Sequence, residues 1–377
     1  MTVALRSPLS GSELLPDTAH SLIDGRTRWP VVDGIPYLRV ERDALRAQAL
    51  AHLDRGDEAA ALVLLLADQD DWWRGAEAKP DDLRRLARDR AQLSLREAMA
   101  LLAWGPVADY FAHRWTDPTF LAGLSLVQTH WNRPRDCFEL ACGIGHHLRA
   151  LGRCNVRCTG ADVVFAKLWI ARNYLAPDAD LLCFDAAHPW PVAGACFGLV
   201  ACHDAFYFLE PKQDVARRLG EALAHDGWLA ISHVHNRGWP NLSAGRAVTA
   251  GEIAALFPDG VVYDDAELTR ALVERRPPSP GADGDVEAFS IATGPGLGPA
   301  GMASGALSLP PSGAVLRRNP LYDAHGIVAW PSPRYAAEYG PRATYPHRTT
   351  CPEHAVCSAA TADWALRREL VDLPERW

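Results

Sequence analysis

Residues 139–147 read ELACGIGHH, and the spacing of Gly143 and Gly145 in that run is the first feature with chemical content. A strand that runs into a glycine turn and then a helix brings backbone amides close to a ligand where a Cβ would clash. Glu139 stands ahead of the turn, where it can orient those amides or a ligand's ammonium group. Two further acids fall at the ends of the next two apolar runs. Asp162 is placed to accept hydrogen bonds from both hydroxyls of a ribose, and Asp185, with Ala186 beside it, from an adenine amino group. A dinucleotide fingerprint needs a third glycine where Leu148 stands, which argues against a nicotinamide or flavin.

Histidines cluster after two later runs: His203 with Asp204, then His233 and His235. A histidine titrates near neutral pH and can take a proton from a substrate. His203 and His235 are therefore the leading catalytic candidates, with Asp204 as orienter or substrate contact. The competing use of each is as a hydrogen-bonded structural residue. In YFAHRW (110–115), Tyr110 and Arg114 are four apart and share a helix face. Arg114 could pair with a cofactor carboxylate, although a surface salt bridge is the more ordinary use. Of His146 and His147 only the amides are expected to matter. Cys351 and Cys357 lie near His347 and His354, but C-x-x-H-x-x-C is not a usual zinc spacing, so no metal site is expected.

These residues need a scaffold, and the apolar runs supply it. CFELA (137–141), CTGAD (158–162), DLLCFD (180–185), FGLVACH (197–203) and WLAISHV (228–234) alternate with helical stretches at about 146–152, 165–175 and 212–224. Alternating buried strands and helices predict an α/β fold, a Rossmann-like, doubly wound and mostly parallel sheet. Four segments follow. Residues 1–40 read as short strands and turns, and 41–130 as a helical cap. The core spans 131–250, and 251–377 is a loop-rich completion of the sheet and lid. Within the last segment, residues 277–313 hold 15 Gly or Pro among 37 positions around one short strand, Val286 to Thr293.

Composition narrows the function. The charge of −8, from 38 Lys+Arg against 46 Asp+Glu, disfavours a broad grip on nucleic acid. The longest apolar run, Ala59 to Ala67, is far short of the roughly 20 residues a bilayer needs. Nine cysteines, an odd number, do not suggest a disulfide framework. A cytoplasmic globular protein without a membrane span is expected.

The ordered set over roughly residues 130–240 resembles the class I S-adenosylmethionine-dependent methyltransferase family. Its first motif, an acid followed by alternating small residues, is matched by Glu139, Ala141, Gly143 and Gly145, with Ala141 in place of the usual first glycine. The ribose acid corresponds to Asp162 and the adenine-side acid to Asp185. The fourth-strand motif corresponds to FGLVACHDAFYFL (197–209), where Gly198 replaces a frequent aspartate, and the fifth strand follows HDGW (225–228). The resemblance implies S-adenosyl-L-methionine as cofactor and methyl transfer to oxygen or nitrogen of a small molecule, with secondary metabolism suggested by the appendages. A methyltransferase of RNA or protein is one rival. It is disfavoured because His203-Asp204-Ala205-Phe206 stands where Asn/Asp-Pro-Pro-aromatic would mark exocyclic amine methylation. A non-catalytic methyltransferase-like partner is the other.

SPLS (7–10) and RWPVVDGIPYL (28–38) resemble the small zinc-ribbon proteins that activate certain methyltransferases. Ser7 and Ser10 occupy the first CxxC pair, and Leu22 and Gly25 fall near the second. Neutral hydroxyls are poor zinc ligands. A metal-free remnant held by Trp29, Val31, Ile35 and Tyr37 is expected, either a docking module or a structural appendage.

Overall fold

Seven strands build the main sheet of the computed structural model, which describes residues 4–377 apart from 193, 195, 241–243, 283, 284 and 302–306. They are β1 (Asp136–Leu140), β2 (Arg157–Asp162), β3 (Asp180–Cys183), β4 (Phe197–His203), β5 (Leu223–His235), β6 (Val261–Asp264) and β7 (Ala288–Thr293). Their order is β6-β7-β5-β4-β1-β2-β3, parallel from β5 to β3, with β7 antiparallel to both neighbours. The five expected strands are present, so the fold is the Rossmann-like α/β class. Strand order reverses between β1 and β4, and ligands of such sheets bind outside the carboxyl ends at that point. The strand expected among loops is β7, a buried inner strand between β5 and β6.

Six helices matter for the site: α1 (Pro106–His113), α2 (Pro118–Thr129), α3 (His146–Gly152), α4 (Phe165–Ile170), α5 (Lys212–Glu221) and α6 (Asp265–Glu274). Every residue of α2 is buried, as its nearly continuous apolar sequence PTFLAGLSLV requires. It packs on α6, β5 and β7. Ahead of α1 the chain forms helices at Asp43–Leu53, Glu58–Leu66, Pro80–Asp89 and Leu95–Leu101. The first two are the helical hairpin that the turn around Asp54 to Asp57 predicts.

The N-terminal residues form a four-stranded antiparallel ribbon, Leu15–Thr18, Ser21–Ile23, Arg28–Val32 and Ile35–Pro36. It joins the main sheet at its edge, where the Leu38 amide donates to the Cys183 carbonyl at 2.7 Å. Trp29, Ile35 and Tyr37 are fully buried as expected. Val31 is only half-buried and Val32 is inside instead, because alternate strand residues face opposite sides. Ser10 Oγ donates to Asp24 at 2.9 Å, and Ser7 Oγ accepts the Leu9 and Ser10 amides. Hydroxyls and a carboxylate thus tie the first turn to the second.

The C-terminal region adds a small sheet of Val315–Arg318, His354–Val356 and Leu370–Val371. Cys351 and Cys357 pack there with Leu316 and Leu370 as free thiols. The end of the chain crosses back over the helical segment: Trp377 Nε1 donates to the Ala112 carbonyl at 2.9 Å.

Leu148, at the third position of the glycine pattern, has a partner on β2. A Cβ on Gly160 would stand 2.4 Å from Leu148 Cδ1 and 2.8 Å from Cys142 Sγ. The close helix–strand packing therefore comes from a glycine on the strand. We predict that Gly160→Ala costs about 1–3 kcal/mol in urea unfolding by overpacking. Combined with Leu148→Ala, its effect should be smaller than alone; strict additivity would contradict this packing.

Candidate active site

At the carboxyl end of β1, Ala141, Gly143 and Gly145 all adopt left-handed backbone, with φ of +55°, +57° and +86°. Glycine enters this region freely, whereas Ala141 holds it against a Cβ penalty of about 1–2 kcal/mol. A Cβ on Gly143 would stand 3.2 Å from the Phe111 ring of α1. The turn is pinned by Asp162, whose carboxylate accepts the Gly143 amide at 3.0 Å and the Val164 amide at 2.9 Å. Lys167 Nζ lies 3.5 Å from the same group. A carboxylate has about four acceptor sites, so these two amides leave capacity for ribose hydroxyls. Ala141, Gly143, Val163 and Asp185 line a partly exposed rim here, although Asp162 itself is buried. Asp185 Oδ1 accepts the Ala187 amide at 2.9 Å. Ala186 is buried, with its carbonyl taken by Trp190 Nε1 and Arg218.

Glu139 lies deeper than the turn, 2% exposed, against His147 and His203. His147 Nδ1 is 3.5 Å from Glu139 Oε1, and its ring stacks on His203 at 4.0 Å. His146 packs between Phe111, Trp115 and Phe120, with Nε2 3.1 Å from the Phe111 carbonyl. The expectation that only their amides matter is therefore corrected: both rings are core. Burial raises the Glu139 pKa to about 7, and burial, then Arg114, lowers that of His147 to about 3.

The adjacent residues His203 and Asp204 face different surroundings. His203 Nδ1 meets Ser232 Oγ at 2.8 Å, and burial, then His147, holds its pKa well below the ordinary range. Asp204, at φ +52°, accepts from Arg114 Nη1 at 2.7 Å, Tyr110 OH at 2.9 Å and Tyr207 OH at 3.0 Å. Arg114 is thus not a surface ion pair. It is 4% exposed and also bonds Asp117 and Thr119 at the start of α2. Burial pushes the Asp204 carboxyl up, but Arg114 and then His233 overcome it, and it stays well below the usual range.

His233 was passed over as a candidate, yet it is the best-oriented imidazole. Its Nδ1 meets Asp265 at 2.7 Å, and Ser290 Oγ donates to that aspartate at 2.5 Å. Its Nε2 is 3.9 Å from Asp204. Burial drives His233 down, but Asp204 and the Asp265 bond outweigh it, so its pKa is raised. The only sequence signal for Asp265 is an acid pair, Asp264-Asp265, which forms the N-cap and first residue of α6. His235 lies 4.8 Å from the His233 ring and 4.3 Å from Tyr207, with both nitrogens buried and unpartnered among the described residues. Burial, then the charge of His233, lowers its pKa to about 4.

Tyr207 also lines an open cleft of ≈ 460 Å³ with Trp72, Phe208, Glu210 and Arg246. The helix Pro333–Tyr339 packs on α1, its Tyr335 edge-on to His113 at 6.0 Å. Tyr110 packs against the same tyrosine-rich cluster.

A family model described as a methyltransferase domain matches residues 138–231. No curated protein matches the chain. Among solved structures, the chain is similar to a TehB-like methyltransferase from Corynebacterium glutamicum, at 16% identity over 49% of this chain and 95% of that one, TM-score 0.36. A Thermotoga maritima S-adenosylmethionine-dependent methyltransferase gives 14%, 50%, 93% and 0.37. The plantazolicin methyltransferase BamL gives 13%, 50%, 90% and 0.37. The domain matched at residues 138–231 is a methyltransferase domain on a Rossmann-like sheet, which makes the chain an enzyme with S-adenosylmethionine as its cofactor. Among the described residues no helix is long and apolar enough to cross a membrane.

The histidine shifts fix a pH dependence. His113 and His235 are both lowered to about 4 by burial, so between that value and about 6.5 the unfolded chain binds protons that the folded chain does not. Stability therefore falls as pH drops through this window, by about 1.4 kcal/mol per unit for each residue. His233 acts oppositely: its contribution is complete below about 6.5 and fades as pH rises through its raised value. Urea unfolding of His235→Asn between pH 4.5 and 6.5 should show a shallower slope by about one proton; an unchanged slope would contradict the assignment.

Proposed function

We propose that the chain moves the methyl group of S-adenosylmethionine to an oxygen or nitrogen of a small molecule bound beside Asp204 and His235. The observation that carries this reading is the meeting, at one sheet edge, of the Ala141–Gly145 turn, the strand-end acids Asp162 and Asp185, and the buried Asp204–His235 corner. Tyr207 lines the cleft and also touches Asp204 and His235, and the cleft's volume lies in the range of small-molecule pockets, about 300–1,000 Å³. Asp162 would take the ribose hydroxyls, Asp185 the adenine amino group, and the turn's amides the methionine end. Ala186 would line the adenine side. Arg114 would act through Asp204 rather than on the cofactor directly. Glu139 and His203 would support the turn and β4 from beneath.

Bound S-adenosylmethionine would supply the methyl group, its carbon–sulfur bond breaking as the acceptor's bond to the methyl carbon forms, with S-adenosylhomocysteine as the leaving group. His235, neutral at pH 7, would take the acceptor's proton. Its lowered pKa makes it a weak base, so alignment of acceptor and sulfonium would carry most of the rate. His233, its pKa raised beside Asp204 and Asp265, would hold Asp204 in place.

The four segments 1–40, 41–130, 131–250 and 251–377 would serve as ribbon, cap, cofactor core and lid. We read the ribbon as a built-in counterpart of the zinc-ribbon activators, its metal knot replaced by Ser7, Ser10 and Asp24. A cytoplasmic setting fits the nine free thiols.

Titration calorimetry tests the cofactor geometry. Asp162→Ala should weaken S-adenosylhomocysteine binding about tenfold or more, through loss of charged hydrogen bonds and of the anchor on Gly143. Undiminished affinity would remove the assignment. A mass-spectrometric screen for products gaining one methyl would identify the acceptor.

A further inference from the structure

Beneath the glycine turn, Glu139 of β1, His147 of α3 and His203 of β4 bring one ligand atom each within 4.8 Å of one another, all three residues buried. Glu139 Oε2 and His203 Nε2 have no hydrogen-bond partner among the described residues. A buried polar atom without a partner costs about 1–3 kcal/mol, and two facing one small volume call for a shared partner. Each imidazole keeps one nitrogen for this space. His203 is oriented by Ser232 Oγ on its Nδ1. His147 Nδ1 lies 3.5 Å from Glu139 Oε1. Gly123 lets α2 close over the cluster, since a Cβ there would stand 2.6 Å from His147 Nε2.

We propose that Glu139, His147 and His203 form a binding site for a divalent transition-metal ion of the zinc class. Two imidazoles and one carboxylate are a donor set for such ions. Zinc bonds of about 2.0–2.2 Å give a tetrahedral edge of about 3.4 Å, close to the Glu139–His147 separation. His203 closes the remaining distance by a shift of about an ångström. Ser232 Oγ meets the other ring nitrogen of His203 and orients the ring. The nearest guanidinium, Arg114, is committed to Asp204, Asp117 and Thr119. The ion would tie β1, β4 and α3 together under the turn. It departs from the sequence expectation of no metal because the three residues are 8 and 56 positions apart along the chain and match no local ligand spacing.

Two other clusters have ligand-type residues and make poorer sites. Asp204 with His233 and His235 already holds a guanidinium at 2.7 Å, a cation that repels a second one. Glu41, Asp185 and His188 lie at the surface, where His188 pairs with Glu41.

The experiment loads the full chain, stripped with a chelator, with one equivalent of cobalt(II), followed by dialysis and elemental analysis. About one ion per chain should remain, with visible ligand-field absorption of a low-coordinate nitrogen and oxygen site. His147→Asn and Glu139→Gln should each lower retention at least tenfold, while His235→Asn keeps it. Absence of retained metal in the unsubstituted chain would overturn the proposal without reference to any variant's folding. So would retention that survives both His147→Asn and Glu139→Gln, or that falls only with His235→Asn.

Discussion

A carboxylate buried at the end of a strand must find donors, and Asp162 finds them in the amides of Gly143 and Val164. That bond pattern joins the end of β2 to the turn after β1, so the two strand ends cannot move independently. Left-handed backbone at Ala141, Gly143 and Gly145 gives the turn its shape. The same carboxylate keeps acceptor capacity beyond these two amides, which the proposed reading gives to a ribose. On the proposed reading structure and binding would share this one group, and the strain at Ala141 is offset by the order it imposes.

The same rule organises the substrate side. Asp204, its side chain 8% exposed, pairs with the buried Arg114, and that pair joins the helical segment to the end of β4. Buried ion pairs often add little net stability, because desolvation opposes their attraction. Their geometry, though, is demanding. With Tyr110, Thr119 and Tyr207 also directed at Asp204, α1 and α2 have one way to dock. The helix Pro333–Tyr339 then packs against Tyr110, which ties that part of the chain to the domain.

The parallel strands, their helices and the glycine turn were legible because each is written locally, in apolar runs, helical spacing and residue types that permit a left-handed turn. So were the acids at the strand ends. Arg114 was not: nothing near it in sequence shows that Asp204, ninety residues on, would bury it. The His233–Asp265 bond is likewise a contact between β5 and α6, and α6 follows a short, half-buried strand with weak alternation. Leu148 looked like a missing glycine because its partner, Gly160, lies on the next strand. The rings of His146 and His147 looked exposed because an N-terminal helical turn usually is, yet α2 covers this one.

A crystal structure grown with saturating S-adenosylhomocysteine tests the central claim most directly. The account predicts the ribose on Asp162, the adenine beside Asp185, and the amino-acid end along the amides of residues 141–145. Ligand found away from that edge, or none bound at saturation, would contradict it.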